Sequence, residues 1–187
     1  MPNRETRAGV PAKLRESDTG DIRVSGYAAV FGEAADIGGW YTETIERGAF
    51  AGAIGRDDVV FLINHEGLPL ARTRSGTLKL SEDAHGLMIE ADLNMSDPDV
   101  LSIVPKMKRG DLDKMSFAFL PTVQEWDDSG DIPTRTIKEA QLFDVSIVTT
   151  PAYDGTDIGL RSLDAHRKSK SEPQTQAARR LRMKSRL

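Results

Sequence analysis

Thr77-Leu78-Lys79-Leu80-Ser81-Glu82-Asp83-Ala84-His85-Gly86-Leu87-Met88-Ile89-Glu90-Ala91-Asp92-Leu93 decides the fold class of this chain. Apolar and polar residues alternate on both sides of a polar turn. Successive side chains of a strand point to opposite faces, so this pattern predicts two half-buried strands joined as a hairpin. A hairpin is an antiparallel pair, and the flanking sequence is rich in further strand signals.

Upstream, Val59 to His65 is a continuous apolar run that ends in polar residues, the pattern of a buried strand. Its parity puts Phe61, Ile63 and His65 on one face. Tyr41 to Ile45 alternates like a strand, and Glu46 to Ile54 reads as a short helix weakened by glycines. Ile22 to Phe31 reads as a strand with a bulge or bend at Gly26. Downstream, Ser96 or Asp97 caps a predicted helix with Pro98 in its first turn, apolar positions at Val100, Leu101, Val104 and Met107, and a stop at Gly110. Lys114 to Val123, Pro133 to Lys138 and Ala140 to Thr149 read as strands, with a turn at Asp127 to Asp131. Seven or eight strands against two or three helices predict an α+β fold, a mostly antiparallel sheet or β-barrel with a few helices. Residues 1–20 lack periodicity and read as a flexible N-terminal arm, residues 21–163 as the folded domain and residues 164–187 as a tail. Within that tail, Gln176 to Arg186 could form a basic helix.

The chain has 187 residues, enough for one domain with a real core. It has no cysteine, which excludes disulfides and thiolate catalysis and favours a cytosol-like compartment. Met1-Pro2-Asn3-Arg4-Glu5 lacks the apolar region of a signal peptide, and no stretch has the length of a membrane span. The formal charge of −4 divides unevenly, because the tail carries eight basic and two acidic residues. A basic tail on an acidic body suits an anionic partner. The acidic body and the lack of basic-aromatic interleaving argue against nucleic-acid binding. The sequence carries no Gly-rich phosphate loop and no metal-ligand spacing, so no cofactor or metal is expected. The acidic turn at Asp127 to Asp131 lacks the length and terminal Glu of a calcium loop.

Three polar residues interrupt apolar strands: His65, Ser116 in Lys114-Met115-Ser116-Phe117-Ala118-Phe119, and Asp144 in Phe143-Asp144-Val145-Ser146-Ile147-Val148. A base, a hydroxyl and a carboxylate are the set that makes a serine nucleophilic. Each also has a plain reading: a half-buried histidine, a small strand serine, an ion pair of Asp144 with Arg135 or Arg161. Glu139 is a competing carboxylate. Strand parity places Ala118 beside Ser116, with Met115, Phe117 and Phe119 opposite. There is no Gly-x-Ser-x-Gly elbow, and the order His-Ser-Asp differs from the familiar hydrolase orders.

Five strings carry a family resemblance over roughly residues 22–162: Gly26-Tyr27-Ala28-Ala29-Val30-Phe31, Ile45-Glu46-Arg47-Gly48-Ala49-Phe50, Asn64-His65-Glu66, Met115-Ser116-Phe117-Ala118-Phe119 and Val145-Ser146-Ile147-Val148-Thr149-Thr150-Pro151-Ala152. In order and spacing the chain resembles the tailed-phage prohead (capsid maturation) serine proteases, which are similar to the herpesvirus assemblins. That resemblance implies a β-barrel surrounded by helices. It implies a serine endopeptidase acting inside the prohead in the host cytoplasm on the scaffold region of the phage major capsid protein and on itself, and a homodimer. It implies His65 and Ser116 as triad members. The third position falls on Asp144, where the family usually carries Glu, with Glu139 as the alternative. By analogy with assemblins, backbone N–H groups of Thr150 or Ala152 would form the oxyanion hole. The rival readings are a catalytically inactive capsid assembly protein of the same fold and a nucleic-acid module driven by the tail.

Overall fold

The computed structural model describes residues 4–16, 21–150 and 160–170. Eleven strands and three helices occur among them. In chain order they are β1 (Glu5–Pro11), β2 (Lys13–Glu16), β3 (Ile22–Val30), β4 (Ala35–Ile37), β5 (Tyr41–Ile45), α1 (Ala51–Arg56), β6 (Val60–Ile63), β7 (Glu66–Arg72), β8 (Leu78–Glu82), β9 (Gly86–Leu93), α2 (Pro98–Arg109), β10 (Lys114–Asp127) and β11 (Thr134–Val148). The helix over residues 160–170 is α3.

The hairpin of the opening stretch is β8–β9, registered Leu78 to Ala91 and Glu82 to Leu87. It forms one edge of a four-stranded sheet ordered β2-β3-β9-β8. The second sheet runs β1-β10-β11-β5-β4, and β6, with β7 outside it, lies along the remaining length of β11. β11 is parallel to β5 and to β6, whereas the other pairings among the described residues are antiparallel. The mostly stranded α+β class is as expected, and the strands hydrogen-bond as two sheets that are not closed into a barrel. Both sheets contribute to one core, with Val24, Ile89 and Leu93 from one and Phe61, Phe117 and Ile147 from the other. α2 adds Val100, Ile103, Val104 and Met107 to it. The Asp97 side chain caps this helix by accepting from the Asp99 N–H, and Gly110 ends it with φ +81°. Leu101, expected on the buried stripe, is exposed, and Ile103 takes its place.

Several elements differ from the sequence expectation. Residues 5–16 are the strands β1 and β2, not a flexible arm. Their periodicity is hidden because the inward positions Glu5 and Arg7 are charged, and both are buried. The irregularity in β3 falls between Tyr27 and Ala29 rather than at Gly26. The expected strands either side of Glu139 are one strand, β11. α3 crosses the expected boundary after Leu163, and Leu163 is buried beside Ile37 and Tyr41. The possible basic helix of Gln176 to Arg186 lies outside the described residues.

β1 reaches β10 only by crossing β3 closely, and Gly9 makes the crossing possible. A Cβ there would sit 2.4 Å from both the Tyr27 and the Ala28 carbonyl oxygens. Backbone atoms cannot move aside as a flexible side chain can. Gly9→Ala is expected to cost about 1–3 kcal/mol by overpacking, read as a lower urea midpoint with an unchanged slope. An unchanged midpoint would mean that β1 does not cross there.

Candidate active site

Residues directly opposed in neighbouring strands share a face. Ala8 lies opposite Ser116, Ser116 opposite Ser146, and Ser146 opposite Leu62. One step along, Thr6, Ala118, Asp144 and Val60 form the next row. Ser116, Ala118, Asp144 and Ser146 thus share the face away from the core, while Met115, Phe117, Val145 and Ile147 fill the core.

A bulge sets this arrangement. Ala118 pairs with Asp144 but Phe119 pairs with Leu142, so Phe143 is an extra residue in β11. Without it, Leu142 and Asp144 would share a face. With it, Leu142 points into the core and Asp144 points away.

His65 does not lie in the buried strand. Ile63 pairs with Glu66, leaving Asn64 and His65 as a two-residue turn between β6 and β7. Both have positive φ, +50° and +62°, as a tight hairpin of right-handed twist demands. Asn and His are among the non-glycine residues that adopt this region most readily. The turn is pinned to β11. The Asn64 N–H donates to the Ile147 carbonyl at 3.0 Å, and the Thr149 N–H donates to Asn64 Oδ1 at 3.1 Å.

From this turn the imidazole bridges the two strand residues. His65 Nδ1 lies 2.6 Å from Asp144 Oδ1, and Nε2 lies 2.7 Å from Ser116 Oγ. A carboxylate only accepts, so Nδ1 carries a proton, and in the neutral ring Nε2 is a lone pair facing the hydroxyl. The Ser116 hydroxyl has a second acceptor, the Arg7 carbonyl at 2.8 Å. Ser116 and Asp144 are fully buried, and the His65 side chain retains 17% exposure. Asp144 Oδ2 accepts no hydrogen bond among the described residues, but the Arg4 guanidinium meets it as an ion pair. Arg4 also lies over the Phe143 ring at 4.9 Å. A buried carboxylate needs such compensation to stay ionised.

The sequence matches the family model of the caudovirus prohead serine protease over residues 10–169. The chain belongs to that family. Membership carries the reaction class, proteolysis, and its place, the phage prohead. The fold is similar to that of the bacteriophage T4 capsid assembly protease gp21, with a TM-score of 0.54 and 10% sequence identity, covering 79% of this chain and 98% of that one. No curated protein sequence matches the chain. No helix among the described residues is long and apolar enough to cross a membrane.

In this prohead protease Glu139 is exposed and registered opposite Val123, whereas Asp144 meets the histidine. Arg135, a sequence candidate for pairing with Asp144, instead pairs with Glu5 and Glu43. Thr150 is exposed, and Ala152 lies outside the described residues. Sequence reasoning missed Arg4, Asn64 and Ser146 as parts of the site. Asn64 had a signal: Asn is the usual first residue of a tight hairpin turn. Ser146 had strand parity with Asp144 as a signal, whereas Arg4 had none, because its role depends on the fold.

Proposed function

We propose that the chain is a serine endopeptidase that cleaves the scaffold region of the phage major capsid protein, and itself, through a Ser116-His65-Asp144 acyl-enzyme mechanism. The observation that carries this reading is the unbroken chain from Asp144 Oδ1 through both imidazole nitrogens to Ser116 Oγ, at 2.6 and 2.7 Å.

Ser116 Oγ attacks the scissile carbonyl carbon while its proton passes to His65 Nε2. Asp144 keeps the Nδ1 proton in place and stabilises the imidazolium so formed. The tetrahedral intermediate collapses as Nε2–H protonates the leaving amine, giving an ester on Ser116. Water, deprotonated by the same Nε2, then hydrolyses the ester and regenerates the hydroxyl. The oxyanion needs preorganised N–H donors, which we assign to Thr150 or Ala152. The small residues Ala8 and Ala118 beside Ser116 suit an extended peptide backbone lying across this face. Capsid protein and a second copy of this chain are the partners this activity requires.

The second reading, a catalytically inactive assembly protein of the same fold, draws support from the complete burial of Ser116. Under the proteolytic reading, the hydroxyl becomes accessible when substrate enters. A fluorophosphonate probe distinguishes the two. Full-length protein co-expressed with its capsid protein is expected to acquire one adduct, mapped by mass spectrometry to the peptide containing Ser116. No adduct and no capsid cleavage would favour the inactive reading.

A further inference from the structure

We propose that Ser146 is a positioning residue of this site: one hydroxyl fastens both the carboxylate and the histidine backbone. The inference rests on the triad reading above. Ser146 is fully buried and shares the face of Asp144, two residues along β11. Its Oγ donates to Asp144 Oδ1 at 2.9 Å. The same Oγ accepts from the His65 backbone N–H at 3.2 Å. It also lies 3.3 Å from His65 Nδ1, longer than the 2.6 Å from Nδ1 to Asp144.

These contacts fix how the protons are shared. A hydroxyl has one proton and two lone pairs. The proton goes to the carboxylate, and a lone pair takes the N–H of a residue held at φ +62°. His65 lies in the turn rather than in the β6–β7 ladder, and Ser146 Oγ accepts its N–H. Asp144 Oδ1 thus receives two hydrogen bonds, which set the carboxylate plane facing Nδ1. Loss of the hydroxyl removes one of the two hydrogen bonds that orient Oδ1, and with it the Ser146 acceptor of the His65 N–H. Misplacement of a reacting group by about 1 Å costs on the order of 100-fold in rate.

Thr and Val have nearly the same shape, so comparing Ser146→Thr with Ser146→Val isolates the hydroxyl from any packing cost. The expected result is a maximal rate of fluorophosphonate labelling roughly 10- to 100-fold lower in the Val than in the Thr variant, with unchanged probe affinity. The independent readout is the downfield proton NMR signal of His65 Nδ1–H, expected to weaken or move in Ser146→Val and to persist in Ser146→Thr. Equal labelling and an unmoved signal in the two variants would overturn the role of Ser146. Failure of the triad reading looks different: Ser116→Ala would still label or cleave. The NMR comparison then decides on Ser146 alone, because it needs no activity.

Discussion

Ser116→Ala is expected to lower capsid cleavage by on the order of 10,000-fold or more, with the fold unchanged. The substitution removes a single oxygen from a buried strand position. Its structural cost is a hydrogen bond to the Arg7 carbonyl, worth about 1 kcal/mol. His65→Ala should cost a similar factor, and the double variant no more than either single one, because the proposed mechanism joins the two groups in one proton transfer. Asp144→Asn tests the carboxylate. An amide N–H turned toward Nδ1 favours the tautomer protonated on Nε2, which has no lone pair for the Ser116 proton. That change should also cost about 10,000-fold. Glu139→Gln, on an exposed residue, should leave the rate within a few fold. Measured by the appearance of processed capsid protein, a wild-type rate for Ser116→Ala would remove the mechanism. A loss for Glu139→Gln equal to that for Asp144→Asn would move the third role to Glu139.

The readable parts of this chain are those where local chemistry and tertiary structure agree. The β8–β9 hairpin shows period 2 because one face of each strand is buried. α2 shows its cap at Asp97 and its stop at Gly110 because both act within one turn of chain. In β10 the alternation of Ser116 with aromatic and methionine neighbours states which side is core. The rest depended on partners distant in sequence. Glu5 and Arg7 look like loop residues until Glu43 and Arg135 are brought to them. The bulge at Phe143 follows from pairing with β10, and composition alone does not reveal it. The His65 strand reading failed because an apolar run does not mark where it ends, and Asn64 accepts the left-handed conformation that turns the chain. Parallel pairing of β11 with both β5 and β6 has no local signature at all.

Arg135→Met is expected to destabilise the protein by about 3–5 kcal/mol, measured by denaturant unfolding. Arg135 is 1% exposed, and its guanidinium spans Glu5 and Glu43 at 2.9 Å. Arg7 binds the same two carboxylates, sharing Glu5 Oε2 and Glu43 Oε2 with Arg135. Two cations thus balance two anions inside the protein, joining β1, β5 and β11. Methionine fills much of the volume but leaves two buried carboxylates with only Arg7. Adding Glu5→Gln restores neutrality, so the double variant should be more stable than Arg135→Met alone, a coupling that a double-mutant cycle measures directly. The pH dependence sharpens the test. Burial pushes the Glu5 carboxyl up, but hydrogen bonds and charge from Arg135, with Arg7 and Ser162, outweigh it and hold it below its ordinary value. A carboxylate depressed on folding contributes stability above its unfolded pKa of about 4.3 and loses it as pH falls through the folded value. Wild-type stability should therefore fall on acidification below about pH 4. In Arg135→Met the largest opposing partner is gone while Arg7 and Ser162 remain, so the Glu5 carboxyl is expected to titrate higher than in the wild type. The gap between its folded and unfolded values then narrows, so the loss of stability on acidification should be smaller in Arg135→Met. The same falling profile in both proteins would show that Arg135 does not hold Glu5 ionised. Because the Arg7 carbonyl also touches Ser116, a loosened β1 should be felt at the proposed nucleophile before the protein unfolds, as a change in labelling rate at denaturant concentrations below the transition.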